Sequence, residues 1–297
     1  MDTQILHLFN YAGQISWLDN LMLFVTLGAI PLAPLLIGRL WWQKGRYTGQ
    51  TALITLGLTL TIALLFQFIG ARPRPTNVTL IWPTPNFPSF PSGHATVAWG
   101  LAIIWLWHAT SWSQRLLTIG TASLISFSRI YLGHHYPTDI LGGLILGTGL
   151  GLMIAGIRFG DNETKPIWRW LIWPQLSLVI LVTMMAYLGA LPYHLLAWPG
   201  LDKGLHFLSF GLVSFWLNLW VNGRAYTIAT RWGQLLIPLA IILPLSVATA
   251  EELSQHFSPL RTADIWDWIF DFTGMLFFWY ISQQYLDRQH TIHEANT

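Results

Sequence analysis

Apolar runs of roughly twenty residues, each long enough to cross ~30 Å of hydrocarbon, recur along the chain. They lie near 21–40, 51–69, 95–110, 115–132, 138–158, 170–191, 205–222, 233–250 and 267–286, and predict nine transmembrane helices. The expected fold class is an all-α, polytopic integral membrane protein. The segment from Arg158 to Arg169 is the one sustained polar stretch that also holds glycine and proline. It predicts a boundary between two helical bundles, residues 1–165 and 166–297. Within the run at 138–158, Gly143, Gly147 and Gly151 recur every fourth residue, a small-residue stripe that lets helices approach closely. Residues 1–20 read as mature chain and an amphipathic interfacial segment, because they lack a basic leader and a cleavage motif.

Composition agrees with a membrane setting. Hydrophobic residues make up 53% of the 297 positions and charged residues 9%, and eighteen tryptophans suit interfacial belts. A net charge of +2 leaves no surface for nucleic acid, and the absence of cysteine excludes thiol catalysis, thiolate metal sites and disulfides. Arg39, Lys44, Arg46, Arg115, Arg158, Lys165, Arg169, Arg224, Arg231 and Arg288 fall on one side of the nine predicted spans, which the positive-inside rule makes cytoplasmic. The N-terminus is then outside and the C-terminus inside. The other five basic residues, Arg72, Arg74, Arg129, Lys203 and Arg261, fall on the outer side.

Three polar clusters stand between Gln67 and Asp139, where the chain is otherwise nearly chargeless. They are Arg72-Pro73-Arg74-Pro75, Pro91-Ser92-Gly93-His94, and Ser128-Arg129 with His135 and Asp139. Ionisable groups at membrane depth are costly unless partnered, so their gathering predicts a site. Ser92 is placed to cap the following helix, with the Gly93 and His94 amides facing outward as an anion site. Arg74 and Arg129 offer planar forks that match phosphate oxygens. His135 and Asp139 are four apart with Pro137 in a first helical turn, so the carboxylate can orient the imidazole as a nucleophile. His94 would protonate the departing oxygen. His7, His108, His194, His290 and His293 read as ordinary surface or interfacial residues, and His134 as a neighbour with a lesser claim on the chemistry.

At these residues the chain resembles the type 2 phosphatidic acid phosphatase superfamily, whose pattern is Lys-x6-Arg-Pro, Pro-Ser-Gly-His and Ser-Arg-x5-His-x3-Asp. The second and third motifs match at every fixed position; the first matches at Arg74-Pro75 but has Gln67 in place of lysine. The resemblance covers residues 1–160. It implies a metal-independent phosphatase, without cofactor, working through a phosphohistidine at His135. It assigns Arg74, Ser92, Gly93, Arg129 and the Gln67 position to phosphate binding, with His94 and Asp139 as the remaining catalytic residues. Arg72 either compensates for the lost lysine or contacts lipid headgroups. Vanadate-dependent haloperoxidases share a similar anion site but are soluble.

The second half carries Asp202, Lys203 and His206, then Glu251, Glu252 and Gln255, then Arg261, Asp264, Asp267 and Asp271, at helical spacings. Over residues 170–286 this pattern resembles the VanZ-like family, which implies a cell-envelope context. A divalent-cation site is one reading; an ion-pair network built on Lys203 and Arg261 is the favoured one. For the whole chain the expected partners are a lipid phosphate substrate and membrane lipids. The expected activity is undecaprenyl diphosphate hydrolysis at the extracytoplasmic face of a bacterial inner membrane. Phosphatidylglycerophosphate or phosphatidate hydrolysis, phosphate transfer between lipids, and a non-catalytic lipid-phosphate sensor are the alternatives.

Overall fold

A computed structural model describes residues 2–296 apart from 11–12, 164, 192–197, 232 and 259–260, and at 290 and 292–296 it describes the backbone alone. His194, and the side chains of His290 and His293, therefore lie outside the described residues. The chain is mostly helical and forms two compact units, Met1–Phe159 and Gly160–Thr297.

The first unit consists of α1 (Asp2–Phe9), α2 (Ser16–Lys44), α3 (Arg46–Gly70), α4 (Gly93–Trp107), α5 (Trp112–Tyr131) and α6 (Pro137–Phe159). Helices α2 and α3 are separated by Gly45 alone, whose φ of 89° is open to glycine at little cost. Along α3 the buried Thr51, Thr55 and Thr59 each donate a hydroxyl hydrogen bond to the carbonyl four residues earlier. Their polar atoms are thereby satisfied inside the helix and the methyl groups face α4, with Thr59 against Gly100.

The tightest packing in this unit is α4 on α6. Positions 143, 147 and 151 share one face of α6 because four residues are close to one helical turn. That face lies directly on the α4 backbone. A β-carbon at Gly143 would stand 2.7 Å from the Ser92 carbonyl oxygen, one at Gly147 2.2 Å from that of Thr96, and one at Gly151 2.9 Å from that of Gly100. The expected stripe is thus an interhelical seam, and it fixes the start of α4 against the start of α6.

The second unit begins with a 3-10 turn, Ile167–Leu171, and continues through α7 (Ile172–Tyr187), α8 (Leu201–Val221), β1 (Ala225–Thr230), β2 (Gly233–Pro238), α9 (Leu239–Gln255) and α10 (Ile265–Asn296). Its centre is α8 against α10. Gly274 admits the Phe207 carbonyl, Ser214 donates to the Met275 carbonyl, and Asn218 donates to Ser282 Oγ.

One expectation is met only in part and another is corrected. Among the described residues five helices are long and apolar enough to cross a membrane: Ser16–Lys44, Arg46–Gly70, Pro137–Phe159, Ile167–Tyr187 and Leu201–Val221. Helix α4, at fifteen residues, spans only about 22 Å at 1.5 Å per residue. The chain is also not all-α: β1 and β2 pair antiparallel, from Ala225↔Pro238 to Thr230↔Gly233, where an inner loop and the start of a helix were expected. The apolar run Leu235-Leu236-Ile237 is too short to distinguish strand from helix by periodicity, while Thr227, Ile228 and Thr230 favour an extended partner.

The seam yields a prediction. Gly147→Ala should destabilise the protein by about 1–3 kcal/mol through overpacking, whereas Gly57→Ala on α3, whose β-carbon would meet nothing within 4 Å, should unfold with the wild type. Thermal unfolding in detergent compares the two, and equal midpoints would mean that the seam is not tight.

Candidate active site

The start of α4 is held by backbone ties from both sides. The Ser92 amide donates to the Asp139 carbonyl, the Ser89 amide donates to the Arg72 carbonyl, and the Gln67 amide group donates to the Pro91 carbonyl at 2.8 Å. Gln67 is buried and lines the cavity described below, and its nitrogen is spent on the loop. Ser92 occupies the N-cap position of α4, yet its side chain makes no capping bond, contrary to expectation. Its hydroxyl is fully buried and unpartnered, while its carbonyl accepts both the amide and the hydroxyl of Thr96.

After α5, Gly133 turns at φ 72°, and the His134 and His135 amides both donate to the Arg129 carbonyl. Pro137 then opens α6 as its first residue, as the sequence implied. Asp139, fully buried, accepts from the Tyr136 amide at 2.9 Å and from Arg72 at 2.5 Å. His135 Nδ1 stands 3.4 Å from Asp139 Oδ2, close enough to feel its charge but off the direction of a good hydrogen bond. On the other edge of the ring, Arg74 Nη1 lies 3.2 Å from His135 Nε2. A guanidinium only donates, so Nε2 presents its lone pair and the ring proton belongs on Nδ1, toward the carboxylate. Removal from water pushes the His135 imidazole down to about 4; Asp139 works against this, and Arg129 and Arg74 add to it. The ring is therefore neutral at pH 7. His134 is likewise lowered to about 4, chiefly by burial, and its Nε2 donates to the Trp82 carbonyl.

Arg74 is aimed by the Phe87 and His134 carbonyls, and Arg129 by Thr26 Oγ1 at 2.9 Å, which leaves Arg129 Nε unpartnered and buried. Gln67, Arg74, Gly93, His94, Arg129 and His135 all line one cavity of about 850 Å³. From these polar groups it runs between apolar walls, including Leu60, Leu101, Trp105 and Ile125, to Arg39 and His108.

Arg72 does neither of the things expected of it. Its guanidinium joins Asp139 to Asp2 (2.7 Å) and Thr138 Oγ1 (2.8 Å) and lies 4.2 Å from the centre of the Tyr136 ring. Asp2 in turn accepts from the Thr138 hydroxyl at 2.5 Å. Sequence reasoning missed Asp2, and also Asn10, whose side chain bridges Thr79 and the Tyr131 carbonyl. The one available signal was that both are polar residues in an otherwise interfacial N-terminal segment.

In the second unit Lys203 is the hub. It reaches Asp264 at 2.5 Å, Asp267 at 2.6 Å and Asp202 at 3.4 Å. His206 Nδ1 lies 3.0 Å from Asp271, Gln255 donates to both Glu251 and Glu252, and Glu252 accepts the Asp264 amide. Arg261 is a correction. It makes no ion pair among the described residues, because Lys203 already takes the carboxylates it was expected to share.

The family description "PAP2 superfamily" matches residues 49–163. The chain is 30% identical over 175 residues to an undecaprenyl-diphosphatase of Sulfolobus acidocaldarius, covering 56% of this chain and 81% of that protein. It is 34% identical over 154 residues to the undecaprenyl-diphosphatase BcrC of Bacillus subtilis, covering 49% and 77%. The chain belongs to the PAP2 superfamily. It is a membrane lipid-phosphate phosphatase. Among solved structures it is similar to a PAP2-type phosphatidylglycerolphosphate phosphatase from Bacillus subtilis, at 24% identity and a TM-score of 0.47, covering 55% of this chain and 87% of that one.

Arg72 holds Asp139 and is not among the residues that line the cavity. Arg72→Gln should lower kcat on the order of 10²-fold through a misaimed imidazole while KM stays within a few-fold. The milder Asp2→Asn should shift kcat in the same direction by less. A rise in KM at constant kcat would instead mean that Arg72 touches phosphate.

Proposed function

We propose that this enzyme hydrolyses a polyprenyl diphosphate of the undecaprenyl class at the extracytoplasmic face of a bacterial inner membrane, through a phosphohistidine on His135. The observation that carries the mechanism is the orientation of His135, with Nε2 in the cavity beside Arg74 and Nδ1 toward Asp139. The substrate class is supported by the relatives named undecaprenyl-diphosphatase and by the apolar length of the cavity, which suits a hydrocarbon tail. The topology, N-terminus out and C-terminus in across nine spans, rests on the basic-residue bias, and the second unit is proposed to be VanZ-like on its motifs at 202–206, 252–255 and 261–274.

In the first step the Nε2 lone pair attacks the terminal phosphorus, and the Arg74 hand now on Nε2 moves to a phosphate oxygen. The bond from phosphorus to the bridging oxygen breaks, and His94 protonates that oxygen as it leaves with the lipid monophosphate. Arg129, the free Ser92 hydroxyl and the first amides of α4 hold the equatorial oxygens, where charge accumulates. In the second step His94 takes a proton from water, the hydroxide attacks phosphorus, the N–P bond breaks, and inorganic phosphate leaves with His135 restored as neutral imidazole. Asp139 stabilises the ring while it carries the phosphoryl group. Hydrolysis of phosphatidylglycerophosphate or phosphatidate uses the same steps with a lipid alcohol as leaving group.

His135→Ala should abolish release of phosphate from any substrate. His94→Ala should lose on the order of 10²–10⁴-fold with polyprenyl diphosphate, yet recover much of its rate with an aryl phosphate, whose leaving group needs less protonation. Equal losses on both substrates would overturn the division of roles. Phosphate release in detergent reads all four combinations.

Gln67→Lys restores the family's charge beside the loop that Gln67 now ties. The ratio of diphosphate to monophosphate hydrolysis should rise, since the more highly charged ground state gains most from an added cation. Unchanged kinetics on both substrates would place the position outside phosphate contact.

A further inference from the structure

The second unit holds a cavity that takes no part in the chemistry described so far. About 410 Å³ in volume, it is lined by Lys165, Arg169 and Arg224 together with Trp170, Trp220 and Asn222. Two of its cations are exposed, but Arg169 is only 5% exposed. One hand of Arg169 donates through Nη2 to the Asp161 carbonyl. The other, Nη1, is buried without a partner. A buried donor left unpaired costs about 1–3 kcal/mol, and more when charged, so a fold that keeps one on a residue lining a cavity with two further cations leaves a guanidinium in want of an acceptor. The Asp161 carboxylate offsets part of the charge, and its attraction to Arg169 is felt at the site. One carboxylate against three cations still leaves an excess of positive charge.

The walls are rigid. The Trp170 ring meets that of Trp220 edge to face at 4.9 Å, Trp173 meets Trp220 at 5.4 Å, and the Arg169 guanidinium lies 5.2 Å from the Trp170 ring centre. Trp170 Nε1 is held by Asn162 at 3.0 Å. Helix α8 ends at the pocket, and its last turn is closed on itself: Gly223 donates to the Asn218 carbonyl and Arg224 to that of Val221. Two of the four carbonyls that would oppose an anion there are thereby engaged. The pocket thus pairs a buried, half-committed guanidinium with two exposed cations and indole rings. Planar guanidinium forks suit phosphate oxygens, and indoles suit the interfacial depth at which lipid headgroups lie.

We propose that this pocket is a second anion site, separate in composition from the catalytic one, that binds a phosphate monoester or phosphodiester through Arg169, Lys165 and Arg224. An anionic lipid headgroup and free inorganic phosphate share this chemistry. The basic-residue bias puts all three cations in cytoplasmic segments, where anionic lipid is the more abundant source.

The test uses the full-length protein in nanodiscs of phosphatidylcholine alone, of phosphatidylcholine with phosphatidylglycerol, and of phosphatidylcholine with added inorganic phosphate. The thermal midpoint is read for the wild type, for Lys165→Gln/Arg224→Gln, and for an equal-charge control, Arg115→Gln/Arg288→Gln. All three proteins keep the catalytic site, so its own affinity for phosphate cancels in the comparison. The expected result is that phosphatidylglycerol raises the midpoint of the wild type and the control, and that the pocket variant needs at least tenfold more of it for the same shift. Arg169→Gln, if it folds, should lose the shift entirely. If phosphate alone reproduces the effect, the site holds and its ligand is the soluble anion. Equal losses in pocket variant and control, or no loss in the pocket variant, would overturn the site.

Discussion

The buried carboxylate of Asp139 is the constraint on which the first unit depends. A carboxylate with no exposed surface is tolerable only if its charge is met, and breaking such a pair by removing one partner costs about 3–5 kcal/mol. Arg72, the Tyr136 amide and the His135 ring meet it. Each of these partners fixes something else. Arg72 ties the segment after α3 to α1 through Asp2, Tyr136 shapes the turn into α6, and His135 acquires its tautomer. The same residue accepts the Ser92 amide on its backbone carbonyl, so α4 is registered against the ion network as well as against the glycine seam. One residue, through its side chain and its carbonyl, thus couples the N-terminal helix, the segments around Arg72 and Ser92, and the His135 ring.

The arrangement also explains why the site tolerates so many cations without collapsing on itself. Arg72 is neutralised by Asp2 and Asp139 and so adds little field at the cavity, while Arg74 and Arg129 are held by neutral oxygens and keep their charge for a ligand. An arginine already paired with a carboxylate would have to surrender that partner to bind phosphate; one held by carbonyls and a hydroxyl does not. The buried, unpartnered Ser92 hydroxyl and Arg129 Nε are donors kept at a cost to stability, and of the two residues Arg129 lines the cavity.

How much of this could be read from the sequence depends on whether a residue's role is written in its neighbours. Pro91-Ser92-Gly93-His94 and the Arg129, His135, Asp139 spacing were legible because a helix start and a one-turn separation are local geometry. The glycine stripe of α6 was legible for the same reason. Arg72 was not: in an extended segment residues two apart tend to share a side, so spacing cannot tell it from Arg74, and only its pairing with Asp2, seventy positions away, sets it apart. The Ser92 cap failed although the position satisfied every local rule: its carbonyl takes up Thr96, and its hydroxyl is left without a partner. The β-hairpin failed because three apolar residues in a row carry no period.

Gln67 shows how far a single departure from a family pattern can be interpreted. At the lysine position of the family's first motif stands a neutral amide whose nitrogen holds the Pro91 carbonyl, next to the residue that starts the phosphate loop. A lysine there could serve either the loop or the phosphate, whereas the shorter glutamine is committed to the loop in the unliganded protein. The site therefore keeps its loop geometry and gives up one charge. With Arg74 and Arg129 both held by neutral oxygens and neither in an ion pair among the described residues, two guanidiniums still line the cavity. What the missing charge removes is attraction for whatever lies beside that phosphate, so its effect belongs to substrate preference more than to the chemical step.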